Sequence, residues 1–219
     1  MSEIRETIDY KNYSIEVHYD EDPSNPRDWD NLGTMVLFWN RYNLGDEKTD
    51  PTGEYKMSKE EAQEFCNRKD IISLPIFVYE HSGITIRTSN AGYPFNDRFD
   101  AGCGGYIYIT KEKIRKEYGW KNITKKRAEQ IAKYLEGEVE TYDEYLTGQV
   151  YGFICKDENG EEIDEGSCWG FLGYDLKESG LLSEAKCTVT ADITHKATEL
   201  GKKKLAEFNK LGIQQKMEI

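Results

Sequence analysis

The sequence predicts an α+β fold, a mostly antiparallel sheet of hairpins packed with three to four helices. Two observations carry that prediction. Apolar residues recur with period two in short runs joined by tight-turn residues, as hairpin strands with one buried face require. Helical stretches with recognisable caps fall between those hairpins, not in the repeating strand–helix–strand order of a parallel sheet.

Tyr13, Ile15, Val17 and Tyr19 alternate with Ser14, Glu16 and His18, which marks the first strand. Residues 20–31, with two prolines and five acids, read as a loop, and the apolar run Thr34 to Trp39 reads as a short buried strand. Ser58 with Glu61 forms a capping box that opens a helix burying Ala62, Phe65 and Cys66 and ending near Lys69. Ser73 to Glu80 and Ile84 to Thr88 are joined by His81-Ser82-Gly83 and form a hairpin. Gly105 to Ile109 is a further strand. Thr110 caps a short helix stopped by Gly119, and Thr124 caps a long helix stopped by Gly148. The buried stripe of that long helix is Ile131, Leu135, Val139, Tyr142 and Leu146. Val150 to Cys155 and Glu162 to Phe171 flank Asp157-Glu158-Asn159-Gly160, whose Asn-Gly pair suits a tight hairpin turn. A last helix is expected from about Ala191, with Ile193, Ala197, Leu200, Phe208 and Leu211 near one face and Lys202 to Lys204 on the other. The expected organisation is an α+β domain over residues 1–173, with 174–219 a helical extension packed on it or appended to it.

Charge is unevenly spread along the chain. The 41 acids and 29 bases of the 219 residues give a net charge of -12. Residues 136–165 carry eleven acids against one base, Lys156, a net -10 in one stretch. Residues 111–134 (+6) and 196–216 (+4) lean the other way. Nucleic-acid affinity rests largely on neutralising phosphates with Lys and Arg, so direct nucleic-acid binding by the acidic face is disfavoured. The same face would steer toward a protein whose own groove is built for nucleic acid. A nucleic-acid binder using the bases from Lys111 to Lys133 with Lys202 to Lys204 is a separate reading.

Most familiar chemistry is missing. No GxxxxGK[ST] occurs, and Gly102-Cys103-Gly104-Gly105 precedes a strand rather than a helix. The acids around Gly160 lack calcium-loop spacing. His18, His81 and His195 form no HxH or HxxxH pair, so no metal or other cofactor is expected. Gly166-Ser167-Cys168-Trp169 shares letters with a papain-type nucleophile site but sits in a hairpin arm, with His195 its single downstream histidine. The five cysteines contain no CxxC and read as small buried hydrophobes. No run reaches the roughly 18 apolar residues that span a membrane, and MSEIRETIDY lacks the apolar core of a signal peptide, so a cytoplasmic protein without a membrane partner is expected.

Four segments carry a resemblance: Trp29-Asp30-Asn31-Leu32-Gly33-Thr34-Met35, Tyr79-Glu80-His81-Ser82-Gly83-Ile84, residues 140–148 (ETYDEYLTG) and Ser167-Cys168-Trp169-Gly170-Phe171. Over roughly residues 13–173 the chain resembles a family of uncharacterised small acidic proteins encoded by bacteriophages and other mobile genetic elements. The resemblance implies an accessory factor acting on host machinery and assigns no catalytic residue.

Together these readings give a non-enzymatic, nucleic-acid-mimicking inhibitor of a host nucleic-acid-binding defence protein. Its expected contact residues are Glu136, Glu138, Glu140, Asp143, Glu144 and Tyr145 on the long helix and Asp157, Glu158, Glu161, Glu162 and Asp164 on the following hairpin. The alternative is a small enzyme or ligand-binding protein with a pocket near His81 and the glycine-rich 90–105 loop, because loops on a rigid sheet are where such sites lie.

Overall fold

The computed structural model describes residues 3–39, 41–48, 56–89, 94–96 and 100–217. The fold is α+β, with two four-stranded antiparallel sheets and four α-helices among the described residues. The chain divides into two compact units, residues 1–23 with 150–219, and residues 24–149.

The discontinuous unit holds β1 (Ile4–Tyr10), β2 (Tyr13–Tyr19), β7 (Val150–Lys156) and β8 (Glu162–Leu172), in the sheet order β1-β2-β7-β8. β1 and β2 are joined at Lys11 and Asn12, both at positive φ (51° and 64°), the conformation of a tight twisted hairpin turn. β2 pairs with β7 from Ser14↔Lys156 to Tyr19↔Tyr151. That pairing of distant segments places the first and last parts of the chain in one sheet, so the 1–173 stretch expected as one domain is split. α4 (Leu181–Met217) is an integral layer of this unit: Leu181, Ala185 and Val189 are fully buried against Ile15, Val17, Tyr151 and Phe153. It begins ten residues before the expected start at Ala191, immediately after Gly180 at positive φ (82°). The β-branched run Thr188-Val189-Thr190 masks the helical period there.

The central unit holds β3 (Thr34–Leu37), β4 (Ile71–Glu80), β5 (Ile84–Thr88) and β6 (Ala101–Thr110), in the order β3-β6-β4-β5. Its helices are α1 (Lys59–Cys66), α2 (Lys111–Tyr118) and α3 (Lys125–Leu146). The caps are those the residues require: Ser58 and Glu61 close a reciprocal capping box, Thr110 and Thr124 accept from the N3 backbone N–H, and Gly119 ends α2 at φ 64°. α3 lays Ile131, Leu135, Val139 and Tyr142 on the sheet core of Met35, Leu74, Ile76, Ile86 and Ile107. On α1, Ala62 and Cys66 join Val36, Ile71 and Tyr108 in a separate cluster. No helix among the described residues is long and apolar enough to cross a membrane.

Candidate functional site

The eleven acidic or aromatic positions expected to meet a partner divide between the two units. Those on α3 belong to the central unit and those on the β7–β8 hairpin to the other. Their surroundings differ as sharply as their location.

Two of the α3 acids are used inside the protein. Glu138 accepts hydrogen bonds from the backbone N–H groups of Leu32 (2.7 Å) and Gly33 (3.1 Å) and from the Arg27 guanidinium (3.0 Å). Arg27, only 3% exposed at its side chain, also donates to both Asp46 oxygens (2.8 and 2.7 Å) and to the Gly33 carbonyl (2.9 Å). Asp46 in turn accepts from the Met35 N–H at 2.8 Å. A buried guanidinium is tolerable only when its charge and donors are matched in this way. The network fastens the 25–33 loop and the segment after β3 to the middle of α3. Arg27 and Asp46 lie far from Glu138 in sequence and were not among the expected site residues. The local sign for Glu138 is its place three residues after Leu135 and four before Tyr142, on the shoulder of the buried stripe.

Asp143 caps the outer edge of the second sheet. Its Oδ1 accepts from the Thr85 hydroxyl (2.6 Å) and the Ile86 N–H (2.7 Å), groups of the edge strand β5. Burial raises its pKa above the ordinary carboxylate range, against the lowering effect of those two donors. Glu144 is also raised, by burial and then by the nearby charges of Glu140 and Asp143. With Arg87, Thr88 and Gln149 these three acids line a shallow cavity of about 340 Å³. Tyr145 stacks on Tyr142 at 6.0 Å and packs against the core, so it is a half-buried core residue and not a free contact ring. Glu136 is half-buried and Glu140 exposed. The acidic face expected along α3 is therefore largely occupied by the fold itself.

The raised Asp143 has a definite consequence. Both donors point at Oδ1, so Asp143→Asn keeps both hydrogen bonds and removes a poorly solvated charge. An acid whose folded pKa is raised loses stability as pH climbs from its unfolded pKa to its folded one, and the whole loss is present above the folded pKa. The variant is expected to melt higher than the wild type at pH 7, with the gain fading as pH falls through the raised Asp143 pKa. Thermal denaturation across pH 3.5–7 checks this; a constant difference would exclude the titration as its cause.

The hairpin acids are differently placed. Asp157 builds the turn: its Oδ1 accepts from the N–H groups of Asn159 (2.9 Å) and Glu161 (3.1 Å), and these donors lower its pKa. Gly160 completes the turn at φ 79°. Beyond it Ile163 is buried at 7% exposure, and Glu158, Glu161, Glu162, Asp164 and Glu165 are all exposed. Residues 157–165 thus hold six acids and no base. β8 is the edge of its sheet.

His81 is exposed (66% at its side chain) at the β4–β5 turn, stacks on Tyr79 at 6.2 Å and faces Asp100 at 3.4 Å. Residues 90–93 and 97–99 of the accompanying loop lie outside the described residues. Among the described residues, no three His, Cys, Asp or Glu side chains gather as a metal site. Several bases of the 111–134 segment act internally: Lys113 donates to the Asn31 and Leu32 carbonyls, Lys111 to the Lys69 carbonyl, and Arg127 to the Asn122 carbonyl while lying 4.6 Å over Trp120. Cys66 and Cys155 are buried and inert, their thiols pushed up to about 12 and about 11 by desolvation. Cys168 and Cys187 are exposed, contrary to the expectation for all five, because each sits on the outward side of its strand or helix.

The chain matches no family model, no curated protein and no solved structure.

Proposed function

We propose that the protein is a non-enzymatic binding factor whose β7–β8 hairpin enters a basic, nucleic-acid-binding groove of a partner protein. The observation that carries this reading is the run of six carboxylates in residues 157–165, five of them exposed and without an intervening cation. Charged side chains are one of the devices that keep an edge strand from pairing with another chain. A whole cluster at one hairpin end produces a local negative field that steers encounter with a basic groove and repels nucleic acid itself. The resemblance to acidic phage-type proteins makes a host defence or nucleic-acid-processing protein the natural target and host cytoplasm the natural place. The α3 acids contribute Glu136, Glu140 and Glu144 at most, since Glu138 and Asp143 are committed to internal hydrogen bonds.

Reversal of Glu158, Glu161, Glu162 and Asp164 to Lys is the direct test of this surface. All four are exposed, so the helical and sheet circular-dichroism signal and the melting temperature should change little while partner binding falls by at least tenfold. Full binding by the folded variant would remove the hairpin from the interface.

A further inference from the structure

In the central unit, α3 carries its charges against the direction that helix stability favours. Anions are favoured at the N-terminal end of a helix and cations at the C-terminal end, because the peptide dipoles add along the axis. α3 has no acid in its first turn and no base in its last. Lys125 and Lys126 open it, and Asp143 and Glu144 lie near its close. The basic end belongs to residues 111–134, which hold nine bases and three acids in a unit that has 18 bases and 21 acids in all. Lys111, Lys113 and Arg127 are used inside the fold. Arg115, Lys116, Lys121, Lys126 and Lys133 are exposed and meet no carboxylate within 4 Å among the described residues, and Lys125 reaches Glu129 only at 4.0 Å.

Lys126, Gln130, Lys133 and Gly137 recur at i, i+4, i+7 and i+11, one outward stripe on the side of α3 away from Ile131, Leu135 and Val139. Arg127 and Tyr134 flank that stripe two turns apart. Arg127 lies 4.6 Å over the Trp120 ring, which stacks on Tyr118 at 4.6 Å, so those rings are already engaged. Tyr134 is 46% exposed and has no ring partner among the described residues. Its hydroxyl accepts from Gln130 Nε2 at 3.0 Å, which fixes the direction of the ring. Gly137 weakens a helix interior relative to Ala, yet nothing lies within 4 Å of a Cβ built there, so no neighbour in the fold requires glycine. It leaves the helix backbone open to close approach from outside.

We propose that this face binds single-stranded nucleic acid, with backbone phosphates on Lys126 and Lys133 and a base stacked on Tyr134. Unpaired cations beside a free aromatic ring suit a single strand, whose bases are open to stacking while those of a duplex are not. An acidic polypeptide would satisfy the lysines without calling on the ring. The chain's remote acids oppose this contact weakly, since charges are screened beyond a Debye length of about 8 Å at physiological salt. The face contains no residue of the β7–β8 hairpin, so it stands independently of the function proposed for that hairpin.

Fluorescence anisotropy of a labelled oligothymidine of about 15 nucleotides, titrated with the full chain from about 50 to 200 mM salt, is the test. The wild type should bind, and more weakly as salt rises. Lys126→Gln with Lys133→Gln should weaken binding at least fivefold and flatten the log–log salt slope by about 1.4, two phosphate contacts at about 0.7 each. Tyr134→Ala should weaken it about fivefold or more at an unchanged salt slope, and Tyr134→Phe should retain it. All three positions are exposed, so circular dichroism and melting temperature should change little. Absence of binding at the lowest salt, a complex untouched by these substitutions, equal affinity for the same strand annealed to its complement, or equally effective competition by polyglutamate would overturn the proposal.

Discussion

Arg27→Met is expected to destabilise the central unit by about 3 kcal/mol, a large share of the stability of a domain of this size. The side chain is 3% exposed and is held by Asp46 and Glu138, whose own side chains are 24% and 15% exposed. Removing the guanidinium leaves two poorly solvated carboxylates facing each other across its place, and that uncompensated charge is the main cost. The cost should be partly recovered by adding Asp46→Asn and Glu138→Gln. Both amides keep an oxygen for the Met35, Leu32 and Gly33 N–H groups while losing the charge. Urea denaturation followed by tryptophan fluorescence reports on this unit, because Trp29, Trp39 and Trp120 lie within residues 24–149 and only Trp169 lies in the other. Equal stability of wild type and Arg27→Met would show that the network contributes nothing net.

A second large effect is expected at Gly105, where β6 crosses β3. A Cβ there would stand 2.0 Å from the Val36 carbonyl oxygen and 3.0 Å from the Leu37 Cα. These are backbone atoms of the paired strand, in the register Leu37↔Gly105, so no rotamer change relieves the overlap. Gly105→Ala should separate the ends of β3 and β6 and cost about 3 kcal/mol or more, at the upper end of overpacking effects. Gly83→Ala provides the control, since nothing lies within 4 Å of a Cβ at that turn. Comparable urea midpoints for the two variants would contradict the close strand approach.

The features legible in the sequence are those that local physics decides. The Ser58–Glu61 box, the Thr110 and Thr124 caps, the Gly119 stop and both later hairpins follow from residues within a few positions of one another. The α3 stripe is legible because its buried residues keep one helical period over three turns. β1 escaped because none of its residues is fully buried and its apolar alternation is weak. The two-unit division escaped because it depends on β2 finding β7, a pairing between distant segments that no local pattern encodes.

The site follows the same rule. The number of acids is visible in the sequence, but their use is set by partners far along the chain: Glu138 by Arg27 and the Leu32–Gly33 backbone, Asp143 by Thr85 and Ile86. A charge on the shoulder of a buried stripe is more readily taken into the fold than one at a hairpin tip. A joint reversal of Glu138, Glu140, Asp143 and Glu144 would thus damage the fold along with any surface, and only the hairpin offers a clean test. Tyr145 illustrates the same point for rings: its place beside Glu144 marks a contact residue in sequence, whereas its stacking on Tyr142 makes it part of the core edge.

In the proposed function the acidic hairpin competes for a groove that otherwise holds nucleic acid. Affinity capture with the tagged protein from nuclease-treated host lysate, washed across a salt series and then challenged with duplex DNA or RNA, tests it most directly. The predicted result is retention of a nucleic-acid-binding protein that is released as salt rises, is displaced by nucleic acid, and is not retained by the hairpin-reversed variant. Retention of nothing at low salt, or of a protein that nucleic acid does not displace, would contradict competition for such a groove.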